Sequence, residues 1–138
     1  MSDPRPGEVW RYPFLWDRQA RQGETEGRKE RPTAIVAAVH DGKGAIHAAL
    51  LPITTKPPGD RRISVPIPQM EARRIGLTTV QPLWVIIDEY NHDNLSDSWY
   101  FDPEARIGTM SAAFLKLVSV AFVTALRERR TRRIRRDI

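Results

Sequence analysis

Two apolar runs on either side of a glycine-bearing turn restrict this chain more than any other feature. Residues 33–39 (Thr-Ala-Ile-Val-Ala-Ala-Val) and 45–53 (Ala-Ile-His-Ala-Ala-Leu-Leu-Pro-Ile) flank Asp41-Gly42-Lys43-Gly44. β-Branched and apolar residues in runs of this length suit a buried, pleated surface. The turn between them closes a hairpin. Further strands are predicted at residues 7–12 and 83–87. Another is predicted at 62–67, where Ile63, Val65 and Ile67 alternate inward and Pro66 and Pro68 confine the segment to a sheet edge. Residues 17–29 are polar, contain Gly23 and Gly27, and are expected to form a mobile loop. Residues 69–74 suit one or two helical turns before Gly76, and residues 91–103 are polar and predicted irregular.

The last long element is a helix predicted over residues 111–133. Ser111 is a natural N-cap. Phe114, Leu117, Val118, Ala121, Phe122 and Ala125 form one apolar face. Val120 and Val123 lie opposite, so the helix is apolar more than halfway round. That pattern points to a covering loop or to a subunit or partner contact. The expected fold class is therefore mainly β (α+β), with strands closed by a short internal helix and a long C-terminal one.

The 138 residues suit one domain, with a body over residues 1–126 and a basic arginine-rich tail over residues 127–138. The net charge of +5 has an uneven origin. The last twelve residues hold seven arginines against Glu128 and Asp137, a surplus of five, so the first 126 residues are charge-balanced. Such a segment favours polyanions without sequence preference, or simply opposes the dipole at a helix C-terminus. With no cysteine, disulfides and thiolate metal sites are excluded. The N-terminal residues lack an apolar signal-peptide core, and the stretch from 110 to 126 is interrupted by Ser111, Lys116, Ser119 and Thr124. A cytoplasmic, non-membrane protein is expected.

His40, His47 and His92 have no ligand spacing such as i, i+4, so no metal site is predicted. There is no phosphate loop, dinucleotide fingerprint or nucleophile elbow. What does stand out is Arg31-Pro32 at the mouth of a buried strand, and Leu51-Pro52-Ile53-Thr54-Thr55 at the end of its hairpin partner. Arginine offers a fixed fork of donors to phosphate oxygens, and a threonine hydroxyl adds another.

In order, Gly7-Glu8-Val9-Trp10, Arg31-Pro32 with Ala34-Ile35-Val36, Leu51–Thr55, Ile75-Gly76-Leu77 and Ile107-Gly108-Thr109-Met110-Ser111 before a terminal helix resemble the PemK/MazF-like toxin family. The resemblance spans residues 5–126. It implies an SH3-like β-barrel with a terminal helix, a homodimer, and an endoribonuclease toxin that cuts single-stranded RNA with neither cofactor nor metal. It also implies a cognate antitoxin that blocks the RNA groove. By position, Arg31 and Thr54 match the catalytic arginine and threonine, and Glu26 an acidic loop position. Thr55, Lys29, Lys56 and Arg28 would bind RNA. Where one branch of the family carries an arginine and an aspartate, this chain has Thr79 and Gln81, neither of which moves protons. Asp88 and Glu89 follow out of register. Trp10, Trp16, Trp99 and Tyr100 could stack bases or serve the core or an interface.

The alternative is a catalytically inactive barrel of the same kind, or one like the gyrase inhibitors, that binds nucleic acid or a protein target. Gyrase poisons carry a tryptophan in their last residues, whereas this sequence ends Arg-Asp-Ile.

Overall fold

The computed structural model describes residues 3–27 and 29–137. Eight strands and three helices follow in the order β1 (Glu8–Tyr12), α1 (Asp17–Arg21), β2 (Arg31–His40), β3 (Ile46–Thr54), β4 (Ser64–Ile67), α2 (Gln69–Ile75), β5 (Leu83–Ile86), β6 (Glu89–Asn94), β7 (Arg106–Thr109), α3 (Ala112–Arg127) and β8 (Arg132–Arg135). The fold is mainly β, a curled half-barrel sheet with a helix near the C-terminal end. The main path is β4-β5-β3-β2-β1-β7. Along the edge of β3 opposite β2, residues 47–50 pair with β6 and residues 53–54 pair with β5. β6 is bordered in turn by β8, which runs parallel to it.

Curling buries both faces of the sheet. On one side Val9, Leu51, Ile53, Val85 and Ile87 meet Phe114, Val118 and Phe122 of α3. On the other, Trp10, Tyr12, Phe14 and Trp16 pack with Ile35, Leu50 and Ile86. Strand alternation lets β2 serve both clusters, Ala34 and Val36 on one side and Ile35 on the other, and a register shift between Ile35 and Ala37 interrupts its pairing with β3.

Helix α3 starts as expected, with Ser111 Oγ accepting from the Phe114 amide at 3.2 Å. Ser111 also donates its amide and hydroxyl to the two carboxylate oxygens of Glu71, at 2.7 and 2.8 Å. That bidentate grip ties α2 to α3. The Gly108 position explains the Ile-Gly pair of the sequence: a Cβ there would stand 1.8 Å from the carbonyl oxygen of Ile75. Only glycine lets β7 come so close to the end of α2.

Four expectations change. Residues 17–21 form a helix rather than part of a mobile loop, because the Trp16 amide donates to Gln19 Oε1 and the Asp17 amide to Glu89 Oε1. Residues 89–94 are a strand, although 91–103 read as irregular. Helix α3 ends at Arg127, not at 133, because Arg129 takes a left-handed conformation (φ 57°) and reverses the chain into β8. Leu117 faces outward, 54 % exposed, with Val120, Val123 and Leu126. The core-facing stripe is narrower: Phe114, Val118, Phe122 and Ala125.

The arginine-rich segment is therefore part of the sheet. Ile134 is buried, and Arg136 is only 6 % exposed. Its Nη1 donates to Pro13 O and Asn91 Oδ1, both at 2.8 Å, and its Nη2 to Thr25 O at 3.0 Å. The guanidinium stacks 3.8 Å from the Tyr100 ring centroid. Arg132 pairs with Asp17, Arg130 with Glu128 and Arg135 with Asp137. Among the described residues no helix is long and apolar enough to cross a membrane.

Candidate functional site

The register of the central hairpin sets the site. Thr33 pairs with Pro52 and Ala34 with Leu51. Continued by two residues, the same register puts Arg31, at the start of β2, across from Thr54, at the end of β3. Both line one open cavity of about 530 Å³. Its cationic walls are Arg18 of α1, Lys29, Arg31, Lys56 and Arg62, with Trp16 and Thr55 beside them. Among the described residues no aspartate, glutamate or histidine lines it.

Trp16 is the floor of this cluster. Its indole is 7 % exposed. The guanidinium carbons of Arg31, Arg62 and Arg18 lie 5.0, 5.7 and 5.8 Å from its ring centroid. Cation–π attraction holds arginines over a ring in this way. Trp16 is thus held ready for the arginines and has little face left for a base.

The three arginines differ in what balances them. Arg62 bridges Asp88, through both Nε and Nη2, and Glu89 at 2.7 Å. Burial works against its charge, but the two carboxylates outweigh it and hold its pKa above the ordinary value. Asp88 and Glu89, out of register for catalysis in the sequence, have this structural task. Arg31 is the opposite case. Its buried Nε has no hydrogen-bond partner, and among the described residues it has no ion pair. Burial, and then the charge of Arg18, pull its pKa below the ordinary value. An anion in the cavity would relieve both penalties. The charge balance at the Arg31 end of the cavity suits an anion.

Thr54 is half-buried, and its Oγ1 accepts from the Lys56 amide at 3.0 Å. That turn leaves the hydroxyl proton available to a ligand oxygen and presents Lys56 to the same cavity. Lys29, Arg31, Thr54 and Thr55 also line a second, smaller hollow on the Gly76–Thr79 side. The site therefore continues around the β2–β3 mouth as a groove.

Glu26 does not join Arg31 and Thr54. It lines a different hollow, with Trp99, Tyr100 and Asp102. The reason is local. Gly27 has φ +77° and lies so close to Pro13 that a Cβ would stand 2.6 Å from its carbonyl oxygen. The chain is pinned there, and Glu26 falls beyond the cavity rim. Arg28 lies outside the described residues. Among the aromatics, Trp10 is buried against Phe101, whereas Trp99 is 97 % exposed and serves neither core nor site.

Sequence reading also missed the polar half of the molecule. Residues 89, 91 and 93 point inward with strand periodicity, but they are Glu, Asn and Asp. Asp93 accepts from the Tyr12 and Ser98 hydroxyls. Burial raises its pKa above the usual carboxylate range, and burial and then Asp93 push the Tyr12 phenol up. His47 and His92, unpaired by spacing, come together across β3 and β6 with rings stacked at 5.7 Å.

Fold and site together define a small curled β domain with a cationic, acid-free cavity at the mouth of its central hairpin. No protein-family model matches the chain, and no curated protein matches it.

Proposed function

We propose that this protein is a PemK/MazF-like endoribonuclease toxin that cleaves single-stranded RNA at the Arg31–Thr54 cavity. One observation carries the reading: an uncompensated, half-buried arginine and a threonine hydroxyl line one acid-free, cationic hollow. The ribose 2′-OH attacks the adjacent phosphorus, a P–O2′ bond forms, and the P–O5′ bond breaks to give a 2′,3′-cyclic phosphate and a 5′-OH. Arg31 stabilises the charge that develops on the non-bridging oxygens. Thr54 donates to the same oxygens. The proton lost by the 2′-OH passes to water, and the 5′ oxygen takes one from water, since among the described residues no carboxylate or histidine lines the cavity. Lys29, Lys56, Thr55 and Arg18 track the backbone of the strand. In this reading the protein works in the cytoplasm, an acidic antitoxin segment covers the cavity, and the chain forms a homodimer.

The lack of a general base at the cavity favours one second reading, a barrel that binds RNA and leaves it intact. A single experiment separates the two. Purified protein is incubated with a long RNA in EDTA beside Arg31→Ala. Cleavage that disappears in the variant supports the nuclease. Intact RNA with salt-sensitive retention on a gel supports the binder.

A further inference from the structure

The other face of the β3–β6 pair carries a cluster that the RNA reading does not use. His47 lies on β3 and His92 on β6, and the register sets them diagonally, with Ala49 opposite His92 and Asn94 opposite His47. Their rings are parallel within 4°. Asp137 follows β8 and brings its Oδ1 to 3.6 Å from His92 Nδ1. One ligand atom from each of the three lies within 4.8 Å of the other two. All three side chains are partly buried, and none lines the Arg31 cavity.

His92 Nδ1 is itself buried and has no hydrogen-bond partner. A buried ring nitrogen left without a partner is costly. Here it faces a carboxylate just beyond hydrogen-bond range, with a second imidazole stacked alongside. Two imidazole nitrogens and one carboxylate oxygen are a donor set for a borderline-soft divalent cation, and three protein donors leave a fourth position for water. Metal bonds of about 2 Å would draw the three donors closer together. Magnesium and calcium prefer all-oxygen sites. Two groups compete with a cation: Arg135 Nε lies 3.3 Å from Asp137 Oδ1, and Asp41 Oδ2 lies 3.6 Å from His47 Nε2.

We propose that His47, His92 and Asp137 form a binding site for a zinc-class divalent cation. The ion would fasten the end of the C-terminal segment to the sheet. Asp137 adjoins Arg136, whose guanidinium holds Pro13, Thr25 and Asn91. A cation at Asp137 therefore secures the same clasp from the other side of the strand. The site is independent of any RNA chemistry.

The test uses the untagged full chain, stripped of metal and titrated with Zn²⁺ or Mg²⁺ by calorimetry, with thermal melting in parallel. The expected result is one Zn²⁺ per chain, a rise in Tm at saturating Zn²⁺, and no binding of Mg²⁺. His92→Asn and Asp137→Asn should each weaken Zn²⁺ binding at least tenfold, while His40→Asn, outside the cluster, leaves it unchanged. His47→Gln, at a partly exposed side chain, gives the same reading should His92→Asn fail to fold. Absence of Zn²⁺ binding, or equal affinity in the parent and the cluster variants, overturns the proposal.

Discussion

The Arg31 guanidinium lies over the Trp16 indole, 5.0 Å from its centroid, and among the described residues no carboxylate pairs with it. This uncompensated cation is held in place by an aromatic ring from a different segment. Cation–π contacts contribute about 1 kcal/mol. Trp16→Phe keeps a ring but weakens that attraction, and should lower RNA affinity by about fivefold with a small fall in Tm. A filter-binding isotherm and a thermal melt check this; unchanged affinity would show that Arg31 needs no platform.

Charge and fork geometry at position 31 can be separated. Arg31→Lys retains the cation but loses the planar pair of donors. RNA affinity should stay within a few-fold of the parent, while single-turnover cleavage falls by about 10²–10³, the range seen on removing one transition-state donor. Equal losses in binding and cleavage would argue that Arg31 only anchors the strand.

Arg135 and Arg136 are neighbours in sequence and opposites in the structure. Arg136 is buried with three charge-assisted hydrogen bonds, whereas Arg135 lies on the surface. Arg136→Ala should cost about 3 kcal/mol or more in chemical denaturation. Arg135→Ala should stay within about 0.5 kcal/mol of the parent. Removing the whole segment would test folding rather than RNA binding, so phosphate contacts by its exposed arginines are better probed by substituting Arg127 and Arg133. Each such contact, if made, should lower the salt slope of binding by about one.

Gly108 admits no side chain. The Cβ of Gly108→Ala would overlap the carbonyl oxygen of Ile75. Backbone cannot rotate away as a long side chain can, so a loss of about 3 kcal/mol is expected. Denaturant unfolding reads it directly, and a variant as stable as the parent would contradict the close approach of β7 to α2.

The Tyr12 phenol gives a pH signature. Its pKa is raised in the folded protein by burial first and Asp93 second. The unfolded chain therefore loses this proton first as pH rises past about 10. The stabilisation is complete below that pH and is lost above it. Stability should fall on the alkaline side in the parent and less steeply in Tyr12→Phe. In a spectrophotometric titration, one of the three tyrosines should ionise only together with unfolding.

Much of the sheet was legible because its signals are local. The runs of β2 and β3, the turn at residues 41–44, the proline-marked edge strand β4, the Ser111 cap and the end of α2 at Gly76 each follow from neighbouring residues. Strand β6 was hidden because its inward side chains are polar and find their partners on β1, on the 13–16 segment and on Arg136 just after β8. The end of α3 was hidden because an arginine, not a glycine, takes the left-handed position.

By itself the sequence determined that the chain is a mainly β domain with a central hairpin and a helix near its C-terminal end. It also marked Arg31 and Thr54 as the residues to watch. Only the tertiary structure decided that β2 and β3 bring those two to one cavity and that Gly27 turns Glu26 away from it. It likewise decided that the arginine-rich end is a strand and that two distant histidines meet an aspartate. The physical reason is that strand periodicity and turn chemistry act over a few residues. Charge compensation, buried polar partners and close backbone approach depend on groups that only folding brings within a few ångströms.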